Sequence, residues 1–143
     1  MTNVARPLPV PDELTKPFWD AAREGKLAIQ RCKACATYYQ PPVRECYTCA
    51  AVGRLSDLTF EEVSGKGTIY TYTLVHDSRI KAFQEILPYP LIQIELVEQR
   101  GLILYGNMPE TPVEEIRIGA PAEVFFFDIE GGFKLPDFRL ARA

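Results

Sequence analysis

The stretch "RCKACATYYQPPVRECYTCA", residues 31–50, holds all four cysteines of the chain in the pattern C-x2-C-x10-C-x2-C. Each C-x-x-C turns tightly enough to aim two sulfurs at one centre. Two such knuckles on facing arms make a tetrahedral four-sulfur site. Cys32, Cys35, Cys46 and Cys49 are therefore the expected ligands and Zn²⁺ the expected occupant, with iron in a rubredoxin-like site as its rival. The link between the knuckles is short, so its arms must form a compact ribbon. A catalytic zinc keeps one position open for water or substrate and usually counts histidine among its ligands. Here four thiolates fill every position, and the single histidine, His76, is remote in sequence. The pattern points to a closed, structural site whose loss unfolds the ribbon.

With every thiol committed to a metal, no cysteine is left as a nucleophile. The chain carries no G-x-S-x-G motif, phosphate loop or dinucleotide fingerprint. Its acidic residues are plentiful but none is marked out by spacing, so no catalytic residue is assigned. His76 opens a long loop, where it can meet a ligand or serve structure alone. No apolar run approaches the length of a membrane span, and "MTNVARPLPVPDELT" lacks the apolar core of a secretory signal. Paired cysteines without such a signal imply a reducing compartment, and a cytoplasmic location is expected.

Charge narrows the partners. The net charge is −3 and the pI about 5.2. Residues 1–67 carry 9 Lys and Arg against 8 Asp and Glu, whereas residues 68–143 carry 7 against 11. An acidic chain with a mildly basic N-terminal part argues against bulk nucleic-acid binding. It leaves room for a small phosphorylated ligand or an acidic partner.

Around the cysteines the sequence divides into an N-terminal part, 1–54, and a strand-rich part, 55–143. Residues 1–11 are proline-rich and read as an extended arm, ordered only if something holds it. In "DELTKPFWDAAREG", Leu14, Phe18, Ala21 and Ala22 fall on one helical face, with Pro17 near the start and Gly25 near the end. Phe18 and Trp19, with Arg23 one turn on, either seat this helix on its own domain or meet a partner chain. "KLAIQ" reads as a strand entering the first knuckle. Beyond residue 58 come "LTFEEV", the turn "SGKG", "TIYTYTLVH", then "PLIQIELVE" with Ile92, Ile94 and Leu96 alternating against polar neighbours. "LILYGNM" follows with Gly106 as an expected bulge, then a short helical piece in "TPVEEIRIGA" and a last hairpin, "PAEVFFFDIE" to "FKLPDFRL". The long connection 77–89 has a cap at Asp77 or Ser78 and places Ile80, Phe83 and Leu87 on one face. About five strands with short connections suggest a small barrel of OB-fold type, so the fold class is mainly β. Phe125–Phe127 need cover on both faces, one from the barrel and one from the N-terminal part or another protein.

Taken together, "KPFWDAAREGKLAIQRCKACATYYQPPVRECYTCA", "EEVSGKGTIYTYTLVH", "PYPLIQIEL" and "GAPAEVFFFDIEGGFKLPDFRLA" resemble the DUF35 proteins, over nearly the whole chain from about residue 11. The resemblance implies an N-terminal helical segment, a rubredoxin-like zinc ribbon and a C-terminal OB-fold. It also implies a non-catalytic accessory subunit in acyl-CoA metabolism, paired in a hetero-oligomer with a thiolase-like enzyme, a thiolase-related aldolase or an enoyl-CoA hydratase. Such a subunit would shape the partner's active-site entrance or help bind CoA thioester, with Phe18, Trp19, Arg23, His76 and Phe83 as candidate partner or CoA contacts. Ala36 and Ala50 stand where the family often has glycine after a knuckle, which predicts mild strain in both. The thiolase-type complex acting on a β-ketoacyl-CoA is the leading expectation. A nucleic-acid module, with Tyr38, Tyr39, Tyr47, Tyr70 and Tyr72 stacking bases, and an iron redox protein are the alternatives.

Overall fold

The computed structural model describes residues 6–142; the first five residues of the expected arm lie outside it. Two antiparallel sheets form around one shared core. The first is a three-stranded ribbon in the order β2-β1-β3, built from β1 (Ala28–Cys32), β2 (Tyr38–Tyr39) and β3 (Leu58–Glu62). The second contains β4 (Lys66–Val75), β5 (Tyr89–Leu96), β6 (Ile103–Gly106), β7 (Pro121–Asp128) and β8 (Lys134–Leu140), in the order β6-β5-β4-β7-β8. Strand β3 pairs along its whole length with β1, so the ribbon draws strands from both sides of residue 54.

The five-stranded sheet curls until its edge strands meet. Phe138 N donates to Asn107 O at 2.8 Å and Asn107 N donates to Asp137 Oδ1 at 3.0 Å, which gives the strand neighbours of an OB-fold barrel. Gly106 permits this closure. A Cβ there would meet the Phe138 ring at 3.0 Å, and Gly106 pairs regularly with Ile92. The glycine expected as a bulge is instead a close-packing point, and the irregularity falls at Tyr70, between Ile69 and Thr71 of β4. Period-2 alternation holds in β5, where Pro90, Ile92, Ile94 and Leu96 are buried. Each such aliphatic side chain contributes about 1.5–3 kcal/mol by burial.

Helix α1 (Lys16–Arg23) starts from a turn in which Asp12 Oδ1 accepts from the amides of Leu14 and Thr15. Phe18 is 8% exposed and fills the core with Leu27, Ile29 and Val63 from the N-terminal side and Ile69, Leu102 and Phe138 from the barrel. That position leaves Phe18 no surface for a partner. Two glutamines act as backbone clamps, Gln30 within the ribbon and Gln99 between barrel and ribbon. Gln30 bonds both the O and the N of Val43, and Gln99 bonds both the O and the N of Tyr38, each serving as a one-residue surrogate strand. The connection after β4 contains only one helical turn, α3 (Lys81–Gln84). Ala82 is its buried residue, and Ile80, expected on the apolar face, is exposed.

Asp137 is a buried carboxylate at the barrel seam, and its Oδ2 has no hydrogen-bond partner among the described residues. Burial raises it to about 6, against the opposing pull of the Asn107 amide and Arg6. The folded value lies above the unfolded one, so the fold favours the protonated acid. This contribution is present below pH 4 and is lost as pH rises through 6, amounting to about 2–3 kcal/mol. We expect Asp137→Asn, which keeps an acceptor for the Asn107 amide, to gain stability relative to the parent as pH rises from 4 to 7. Parallel denaturant melts across that range read it; a pH-independent difference would refute the assignment.

Candidate metal centre

The four sulfurs come together as the spacing requires. Cys32 ends β1, Cys35 and Ala36 form the turn into β2, and Cys46 caps the single helical turn α2 (Tyr47–Ala50) that carries Cys49. All four sulfurs lie within 4.8 Å of one another, with Cys32–Cys49 at 3.7 Å and Cys35–Cys46 at 3.4 Å. A tetrahedral zinc with Zn–S bonds of 2.3 Å needs sulfur–sulfur edges of about 3.8 Å, so the donor set fits the ion. Cys32, Cys46 and Cys49 are fully buried, Cys35 partly, and no fifth donor of metal-binding type joins the cluster among the described residues. The site is closed.

Local electrostatics treats the thiols differently. Burial works against ionisation of Cys46, but the Tyr39 hydroxyl and the Cys49 amide outweigh it and hold the thiol down at about 6. Burial, with the neighbouring thiols, pushes Cys49 up to about 12. A bound ion takes all four as thiolates, so binding releases protons and affinity falls as pH falls. The expected strain appears in one knuckle only. Ala36 has φ +68°, the left-handed region, whereas Ala50 is helical and Gly53, at φ +69°, takes the left-handed position beyond it.

The other candidate residues fall into separate groups. Trp19 meets the Phe133 ring edge-on at 6.1 Å, and the Arg23 guanidinium stands over the same ring at 5.0 Å. Phe83 packs on Tyr89 at 5.7 Å and lies under Arg6, which also covers Phe127. The outward rings of Phe125 and Phe127 are thus covered by cations of this chain, Arg139 and Arg6, while Phe126 packs on the core. His76 is exposed. The five tyrosines do not form one surface: Tyr38 lies under Arg31 on β2, Tyr39 of β2 packs on Tyr47 of α2 at the second knuckle, and Tyr70 and Tyr72 sit on β4. Sequence reasoning offered Tyr39 as a stacking residue and missed its place beside Cys46. Nothing in the spacing of the cysteines marks it.

A groove of about 370 Å³ runs between ribbon and barrel, lined by Lys26, Lys134, Arg139, Val63 and Phe125 among others. Each of its cations already faces an acid: Lys26 with Glu24 at 3.4 Å, Lys134 with Asp128 at 3.8 Å, Arg139 with Glu123 at 2.7 Å. Among the described residues no helix is long and apolar enough to cross a membrane.

Residues 19–54 match the family profile described as the ChsH2 rubredoxin-like zinc ribbon domain, and residues 60–127 match the ChsH2 C-terminal OB-fold domain. The chain is 34% identical over 116 residues to a DUF35 domain-containing scaffold protein of Methanocaldococcus jannaschii, covering 80% of this chain and 78% of that one. It is also 34% identical over 125 residues to a probable enoyl-CoA hydratase alpha subunit of Thermomonospora curvata. That match takes in 87% of this chain but spans only 37% of the relative's length. Among solved structures, a chain of the Ltp2-ChsH2(DUF35) aldolase superposes with a TM-score of 0.81 at 31% identity, covering 94% of this chain and 100% of that one.

Proposed function

This chain belongs to the DUF35 family, and on that premise we propose that it is a non-catalytic, zinc-binding accessory subunit of an acyl-CoA-processing complex. The observation that carries the reading is the superposition of 94% of this chain on a chain of the Ltp2-ChsH2(DUF35) aldolase. The closed four-sulfur site supports it, because it leaves no metal position for substrate. The partner supplies the catalytic groups and is an enzyme of the thiolase-like or thiolase-related aldolase class. The contacts we assign to it are the exposed loop from His76 to Ile80, with Phe83 at its base, and the rim formed by Trp19 and Arg23. Acyl-CoA is placed on the partner, since the groove cations are already opposed by acids and offer little free positive charge to phosphates.

A hydratase partner is the second reading, favoured by the relative whose hydratase-named chain contains a stretch like this one. Co-expression with the thiolase-like, aldolase-like or hydratase-like product of a neighbouring gene decides between them. We expect a stable hetero-oligomer with one of the three, and thiolysis, retro-aldol cleavage or hydration that is lost when this chain is omitted. A monodisperse monomer that co-purifies with none, beside enzymes fully active alone, would defeat the proposal.

A further inference from the structure

The two knuckles share a spacing but differ in how their first sulfur is held. In the first, the sulfur of Cys32 faces three backbone amides, those of Asp57, Cys35 and Ala34, the last two of them within the knuckle. In the second, the amide three residues after Cys46, that of Cys49, bonds Cys46 Sγ at 3.4 Å. The amide two residues after it, that of Thr48, donates instead to Tyr39 Oη at 3.4 Å, and Tyr39 Oη lies 3.2 Å from Cys46 Sγ. A metal-bound thiolate has no proton to give, so the hydroxyl is the donor in that contact.

We propose that Tyr39 is a positioning residue of the metal centre, its hydroxyl standing in for a knuckle amide and relaying the Thr48 hydrogen bond to Cys46. The second knuckle is thereby set by a strand seven residues upstream. The backbone of that strand is fixed by pairing Gln30 with Tyr39 and Arg31 with Tyr38. The Tyr39 ring is held by an edge-on contact with Tyr47 at 5.8 Å, so its position does not depend on the hydroxyl. Tyr39→Phe therefore removes one charge-assisted hydrogen bond and leaves the packing in place. Loss of such an outer contact typically weakens metal retention by about 10–100-fold.

The test uses the full chain loaded with zinc and follows release to a chromogenic chelator. Tyr39→Phe is expected to release zinc at least about tenfold faster than the parent. Tyr47→Phe, which alters the exposed neighbour without touching a sulfur, is expected to match the parent. In cobalt-substituted protein at saturating metal, Tyr39→Phe should move the sulfur-to-cobalt charge-transfer band to longer wavelength, because the relieved thiolate is a stronger donor. Release equal to the parent, equal acceleration by both variants, or an unshifted cobalt band would each overturn the assignment.

Discussion

Replacing Cys32 by serine removes the metal and unfolds the ribbon. The three short strands of that sheet bury little of their own around the centre. Its local cluster consists of Cys32, Cys46 and Cys49 with Cys35, Tyr39 and Leu58 packed against them. A serine hydroxyl does not replace a thiolate on zinc, and the binding energy of a structural zinc, about 10–16 kcal/mol, rivals the whole stability of a domain, about 5–15 kcal/mol. The damage does not stop at the ribbon, because Phe18, Leu27, Ile29 and Val63 belong to the same core as Ile69 and Phe138. We therefore expect Cys32→Ser to carry less than one equivalent of metal, to lose the fixed environment of Trp19 by near-ultraviolet dichroism, and to melt broadly at lower temperature. On the function proposed above, activity of the complex would fall as well, because the Trp19–Arg23 rim assigned to the partner loses its support. Full zinc content with an unchanged melt would show that the four-sulfur site is not what holds the ribbon.

Gly67→Ala should be the most damaging single methyl group in the barrel. A Cβ at Gly67 would stand 2.3 Å from Glu95 O and 2.6 Å from Ile94 Cγ2. Neither obstacle can yield easily. Glu95 is paired with Thr68 on one side and Ile103 on the other, and Ile94 is wholly buried. Overpacking of this kind costs about 3 kcal/mol or more, which for a chain of this size lowers the melting temperature by about 10 °C. Gly101→Ala is the comparison. It has φ +80° but nothing within 4 Å of the added carbon, so only the strain of about 1–2 kcal/mol applies. If Gly67→Ala melts no lower than Gly101→Ala, the close approach of β4 to β5 is not rigid.

What could be read beforehand was whatever repeats at short range. The knuckle spacing specified the ligands because four cysteines separated by two, ten and two intervening residues have few other uses. The alternation of Ile92, Ile94 and Leu96 specified a half-buried strand because side chains alternate between faces. Features made by segments far apart in sequence were not legible. Gly106 was read locally as a bulge, yet its purpose is set by Phe138, 32 positions away in the numbering. Strand β3 was recognisable as a strand, but nothing local tells that it pairs with β1. The helix expected in the 77–89 connection shrank to one turn, since Ser78 Oγ accepts from the Ile80 amide and holds the chain in a turn before α3. At the metal, the ligands were plain from their type, while Tyr39 was hidden because its contact depends on how β2 lies against the second knuckle.

The Gln99 amide, which holds both backbone groups of Tyr38, makes the ribbon and barrel a poor hinge. The residue beside Tyr38 reaches the Cys46 sulfur, so the path from the turn between β5 and β6 to the metal is two residues long. A partner that grips the ribbon would pull on the barrel through this path, and a load on the barrel would be felt at the sulfurs. Grafting the ribbon alone onto another protein would cut that strut and leave a metal site with a slack second strand.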